Sequence, residues 1–171
     1  LQRLKDGKWR KEGDNWKRGV VFIKELVPKW ALSFIANKVY KEHYQTVPMS
    51  HEIIELSSEL KVSYHWKIKK QWNDIQVIAE KESNSVKSGS IAEFITEHYW
   101  GYAKVNDQQT NEYEVTHPKW VHHNLKSYKI NVNFENNYGK EFTFLSSLEP
   151  NSVILAKGSE IKVQNRNKLE I

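Results

Sequence analysis

The stretch Ser90-Ile-Ala-Glu-Phe-Ile-Thr-Glu-His-Tyr-Trp-Gly-Tyr102 changes its hydrophobic period part-way along. Ser90 with Glu93 three residues on fits a capping box, which predicts a short helix from this point. After Thr96 the period becomes that of a strand. Glu97, Tyr99, Gly101 and Ala103 would share one face, and His98, Trp100, Tyr102 and Lys104 the other. The first face runs from an acid and a phenol to two residues with almost no side chain. Two accounts of it stand side by side: the wall of a cavity, or a half-buried strand whose small residues admit a neighbour's bulky side chains.

The surrounding chain is rich in strand patterns. Leu60, Val62, Tyr64, Trp66 and Ile68 alternate with Lys61, Ser63, His65, Lys67 and Lys69, as a half-buried strand does. A turn is expected at Asn73-Asp74, a partner strand over Ile75 to Glu80, and an exposed loop over Lys81 to Gly89. Asn106-Asp107 marks a further turn, followed by strands over Glu112 to Val115 and Tyr128 to Phe134. Short strands over Ser152 to Ala156 and Glu160 to Val163 close the chain, with Asn165 to Ile171 frayed.

Upstream, Leu1 to Trp16 reads as a hairpin turning at Asp6-Gly7. Gly19 to Leu26 is apolar on both faces, as a central, doubly covered strand would be. Trp30, Ala31, Phe34, Ile35, Val39 and Tyr40 follow a helical period and predict the longest helix, with that stripe in the core. Many antiparallel strands and one good helix imply an α+β fold whose sheet is strongly curved or closed.

At 171 residues the chain has the length of one domain. It is 39% hydrophobic and 27% charged, the balance of a globular chain. No run of about 18 apolar residues offers a membrane span. The net charge of +5 comes from scattered lysines rather than an arginine-rich stripe, which argues against nucleic acid as a partner. There are no cysteines and no secretory signal pattern, so a cytoplasmic location is expected. Met49 is the only methionine and the chain opens on Leu1, so residue 1 is expected to be internal to a longer protein or to follow processing.

Several segments together resemble one family. They are Trp16-Lys-Arg-Gly-Val-Val-Phe-Ile-Lys-Glu25, Tyr40-Lys-Glu-His-Tyr44 with Val47-Pro-Met49, Ala92 to Tyr102, Thr116-His-Pro-Lys-Trp120, and Ser152-Val-Ile-Leu-Ala-Lys-Gly-Ser159. The pattern resembles the YqjF-like proteins, an uncharacterised bacterial family with an acetoacetate-decarboxylase-like fold, from about Trp16 to Val163. The resemblance implies a single domain over 1–171: a mainly antiparallel, conical, near-closed β-barrel with helices outside and a cavity within. It also implies that part of the N-terminus is missing. The fold's namesake enzyme forms a Schiff base on one of two adjacent lysines after the helix. Here that segment reads Lys41-Glu-His-Tyr-Gln45, with a single lysine set beside Glu42, so the decarboxylase chemistry does not carry over.

The ligand-binding candidates are Glu97, Tyr99, Glu25, His117 and Trp120, and no catalytic residue is assigned. Glu25 closes the apolar strand, where the resemblance implies an acid near the cavity; a carboxylate bonded to strand-end N–H groups explains it equally. His117, His122 and His123 cluster in sequence but lack a third ligand at a metal-binding spacing, so no metal or other cofactor is expected. Three functions remain. The leading one is a barrel that binds an unknown small molecule. The others are an enzyme using carboxylate and histidine acid–base chemistry without a Schiff-base lysine, and a structural or interaction module with a filled interior. The sequence is compatible with a homo-oligomer.

Overall fold

The computed structural model describes residues 11–12, 15–17 and 19–170. The strands are β1 (Lys11–Glu12), β2 (Asn15–Trp16), β3 (Gly19–Val20) and β4 (Glu25–Val27). Helix α1 (Trp30–Ile35) runs on into a wider π-helical turn over Ala36–Tyr40. Next come β5 (Tyr44–Thr46), β6 (Met49–Glu55), β7 (Glu59–Ile68), β8 (Gln71–Ser85) and α2 (Ile91–Thr96). The remainder is β9 (Trp100–Asn106), β10 (Gln109–Thr116), β11 (Val121–Asn131) and α3 (Phe134–Tyr138), with 3-10 turns over Lys140–Ser147. Short strands β12 (Leu155–Ala156), β13 (Lys162–Val163) and β14 (Asn167–Glu170) end the chain.

The alternating pattern of β7 gives the strand its sequence predicts. Val62, Trp66 and Ile68 are buried and Lys61 is exposed, but Tyr64 on the expected inner face is exposed and Lys67 is half-buried. Trp66 and Ile68 join Val47 in the core, with Leu26, Met49, Ile75 and Val132 packed against them. Beneath lies a buried amide network. The Trp66 indole donates to Asn137 Oδ1 at 2.7 Å, and Asn137 Nδ2 donates to Asn73 Oδ1 at 2.9 Å. Asn73 also accepts from the Asn133 amide at the start of α3. A buried donor or acceptor left unmatched would cost about 1–3 kcal/mol, so this network fixes α3 against the sheet.

The architecture is not the expected near-closed barrel. The larger sheet has the order β12-β11-β8-β7-β6, and the smaller has β13-β10-β9-β3 with β14 also on β10. Among the described residues no strand pair joins the two, so both sheets stay open. The pairing is also mixed, since β3 with β9 and β4 with β5 run parallel.

Several boundaries differ from expectation. The β7–β8 turn falls at Lys69-Lys70, both with positive φ, rather than at Asn73-Asp74. A two-residue hairpin of this kind needs left-handed backbone at both positions, and the buried amide network holds Asn73 in register opposite Trp66. Residues 81–85 extend β8 to pair with β11 instead of forming a loop. The expected frayed end forms β14 on β10. The run Gly19 to Leu26 is no central strand: it breaks into β3 and β4, and Val21 and Ile23 between them are exposed. The expected hairpin turn at Asp6-Gly7 lies outside the described residues.

Helix α1 is in the predicted place but docks by the opposite side. Ser33 Oγ meets Thr46 Oγ1 at 2.7 Å, and Asn37 bonds both backbone groups of Tyr44. Trp30 (70% exposed), Phe34, Ile35 and Val39 therefore face outward. Polar contacts to β5 override the amphipathic pattern.

Candidate functional site

The helix starts at Ser90 as the sequence predicts, although the return bond of the box falls one residue earlier than expected. Ser90 Oγ accepts from the Glu93 amide at 3.1 Å, and the Glu93 carboxylate accepts from the Gly89 amide at 2.8 Å. The helix ends at Glu97, whose ψ of 58° turns the chain out of the helix. The Tyr99 carbonyl then accepts from the Val115 amide at 2.8 Å, which lays the segment alongside the end of β10.

This placement joins four of the five candidates. The Tyr99 hydroxyl donates to Glu97 Oε2. The Tyr99 ring lies 5.0 Å from that of His117, and His117 stacks on Trp120 at 4.4 Å with 24° between the planes. The Trp120 indole donates to Ser159 Oγ at 2.8 Å, tying this wall to the segment before β13. His117 Nδ1 lies 2.9 Å from the Pro118 carbonyl. A carbonyl only accepts, so Nδ1 is the donor in this contact. Beside this stack opens a cleft of about 390 Å³ lined by Thr116, His117, Pro118, Glu160 and Lys162.

Burial, and then the Glu97 carboxylate, push the Tyr99 phenol up to about 12, so it remains a donor at neutral pH. Burial also holds the His98 imidazole below its usual range; a hydrogen bond to Ile95 opposes this, and neighbouring His117 adds to it. Glu97 Oε1 is buried and has no hydrogen-bond partner.

The space beside Gly101 is taken by Tyr113. A Cβ added there would sit 2.2 Å from the Tyr113 Cζ atom. Ala103, on the same face, is buried opposite Asn111. The small residues thus admit a neighbour's ring, the second of the two accounts their pattern allowed. The other face of β9–β10 is closed by Glu112, fully buried, which accepts from Lys17 at 3.1 Å and from the Tyr102 hydroxyl at 2.8 Å. Lys17 also sits 3.2 Å over the Trp100 ring.

Glu25 stands apart from the other four candidates. It lies opposite Tyr44 across β4–β5, where burial and then this carboxylate raise the Tyr44 phenol, and its amide donates to the His43 carbonyl. His123 is engaged elsewhere, with the Glu80 carbonyl at 3.0 Å. Sequence reasoning missed Glu42, Glu160 and Lys162. Glu42 is buried and accepts from the Tyr113 hydroxyl at 2.6 Å.

A family model matches residues 9–160, nearly the whole of this framework. The chain belongs to the DUF2071 family. The family is described as an uncharacterized conserved protein, which agrees with the resemblance to an uncharacterised family and assigns no activity. No curated protein and no solved structure matches the chain. Function therefore has to be argued from the residues of the site.

Proposed function

We propose that this chain is a small-molecule-binding domain whose ligand sits in the cleft at Thr116, His117, Pro118, Glu160 and Lys162. The observation that carries this reading is the convergence of Glu97, Tyr99, His117 and Trp120 into one contiguous wall beside that cleft. His117, held between Tyr99 and Trp120, presents its ring to the cleft, and Lys162 and Glu160 line it with one charge of each sign. A ligand for this cleft would be small and partly planar, with polar groups at its edge. Native mass spectrometry of the full chain tests the reading: a bound small molecule should accompany the wild-type protein and be lost from His117→Ala. Retention in that variant would count against it.

One observation favours a second reading, acid–base catalysis in the same place. Glu97 has an unpartnered buried oxygen, Tyr99 donates to its other oxygen, and His98 is held towards its neutral form. Together they could accept and return a proton. Turnover of a ligand identified by mass spectrometry, abolished in Glu97→Gln while binding persists, would select this reading over simple binding.

A further inference from the structure

The π-helical turn after α1 brings a second set of polar groups against β10, and none of them lines the cleft. Glu42 is 6% exposed, and its Oε1 accepts from Tyr113. Glu25 pairs with Tyr44 across β4–β5, and its amide donates to the carbonyl of His43, the residue after Glu42. Among the described residues no lysine or arginine forms an ion pair with either carboxylate. The Tyr40 ring meets the Tyr113 ring edge-on at 5.2 Å, and the Tyr40 carbonyl accepts from Asn111 Nδ2 at 2.9 Å. Asn111 is 0% exposed, yet its Oδ1 has no hydrogen-bond partner among the described residues. Asn111 and Tyr113 are two residues apart on β10 and so project from the same face.

We propose that this compartment binds a small organic cation carrying N–H donors, a primary ammonium group. Each of its properties answers a feature of the compartment. An N–H donor satisfies the orphaned Asn111 oxygen, and the positive charge offsets the buried Glu42 carboxylate. The rings of Tyr40 and Tyr113 offer π surface to the same charge. A metal ion suits the place less well, because the described residues hold no group of three His, Asp or Glu side chains able to share one. A quaternary ammonium would leave Asn111 Oδ1 unmatched.

The probe is methylammonium chloride, titrated calorimetrically into the full chain, with tetramethylammonium and potassium chlorides at equal concentration as controls. Saturable binding of methylammonium is expected, at least about tenfold tighter than either control, and weakened about tenfold or more in Glu42→Gln and in Asn111→Leu. No saturable binding, equal binding of the controls, or undiminished binding in both variants would overturn the proposal. Should either variant fail to fold, crystals of the wild-type protein soaked in methylammonium decide the matter. A methylammonium within hydrogen-bond distance of Asn111 Oδ1 supports the site, and a water or no molecule there overturns it.

Discussion

The ring of Tyr113 occupies the space that Gly101 leaves on the facing strand, and its hydroxyl is anchored to Glu42 at 2.6 Å. The ring therefore cannot swing aside without breaking a buried hydrogen bond. Gly101→Ala should destabilise the fold by about 1–3 kcal/mol through overpacking. In a double-mutant cycle the penalty should vanish on a Tyr113→Ala background, where the added methyl meets open space. Equal penalties on both backgrounds, measured by urea unfolding, would contradict this packing.

Glu42 makes stability depend on pH in a stated direction. Burial raises its carboxyl above the ordinary 4.5, with the Tyr113 hydrogen bond opposing, Glu25 adding to the rise and His43 reducing it. The folded form thus holds the proton more tightly than the unfolded chain. The stabilisation is fully present below the ordinary value and is lost as pH climbs through the raised one. Glu42→Gln keeps an acceptor for Tyr113 and cannot ionise. Relative to wild type, its stability should therefore improve as pH rises through that window, as read by urea unfolding across the pH range.

Asn137 should be among the most sensitive polar positions. It is fully buried and serves Trp66, Asn73 and the Asn133 carbonyl at once. Asn137→Ala would leave the Trp66 indole N–H unmatched, at a cost of about 1–3 kcal/mol, and should loosen α3 from the sheet. Hydrogen exchange at the α3 amides should accelerate more than exchange at β10.

Tyr99→Phe probes the wall of the proposed seat. It removes the donor to Glu97 Oε2 and leaves both carboxylate oxygens without that partner. A stability loss of about 1–3 kcal/mol is expected, together with weaker ligand retention. Unchanged stability by thermal unfolding would mean that the Glu97–Tyr99 bond contributes little to the folded state.

What the sequence made legible was local. The period-two alternation of Leu60 to Ile68 needs no partner to be recognised, and the Ser90–Glu93 cap is complete within four residues. The proximity of Glu97 and Tyr99 follows from an i, i+2 spacing. Features that depend on distant partners were hidden. The side on which α1 docks is decided by Ser33 and Asn37 meeting β5, against the helix's own apolar pattern. The buried role of Glu42 depends on Tyr113, 71 residues away, and nothing in its polar neighbours Lys41 and His43 announces it. The Lys69-Lys70 hairpin carries no glycine or asparagine to announce its left-handed backbone. Closure into a barrel was expected from the strand pattern and the resemblance, and the pairing of the described strands replaces it with two open sheets.

The central claim, a ligand seat beside His117 and Trp120, is tested most directly by chemical-shift mapping of the isotopically labelled full chain against a library of small aromatic acids and amines. Binding members should shift the Thr116 and Lys162 amides and the Trp120 indole signal together, with the His117 ring following, and Glu97→Gln should reduce those shifts. Shifts confined to the outward apolar surface of α1 at Trp30 and Phe34, or no shift anywhere in the chain, would contradict the assignment.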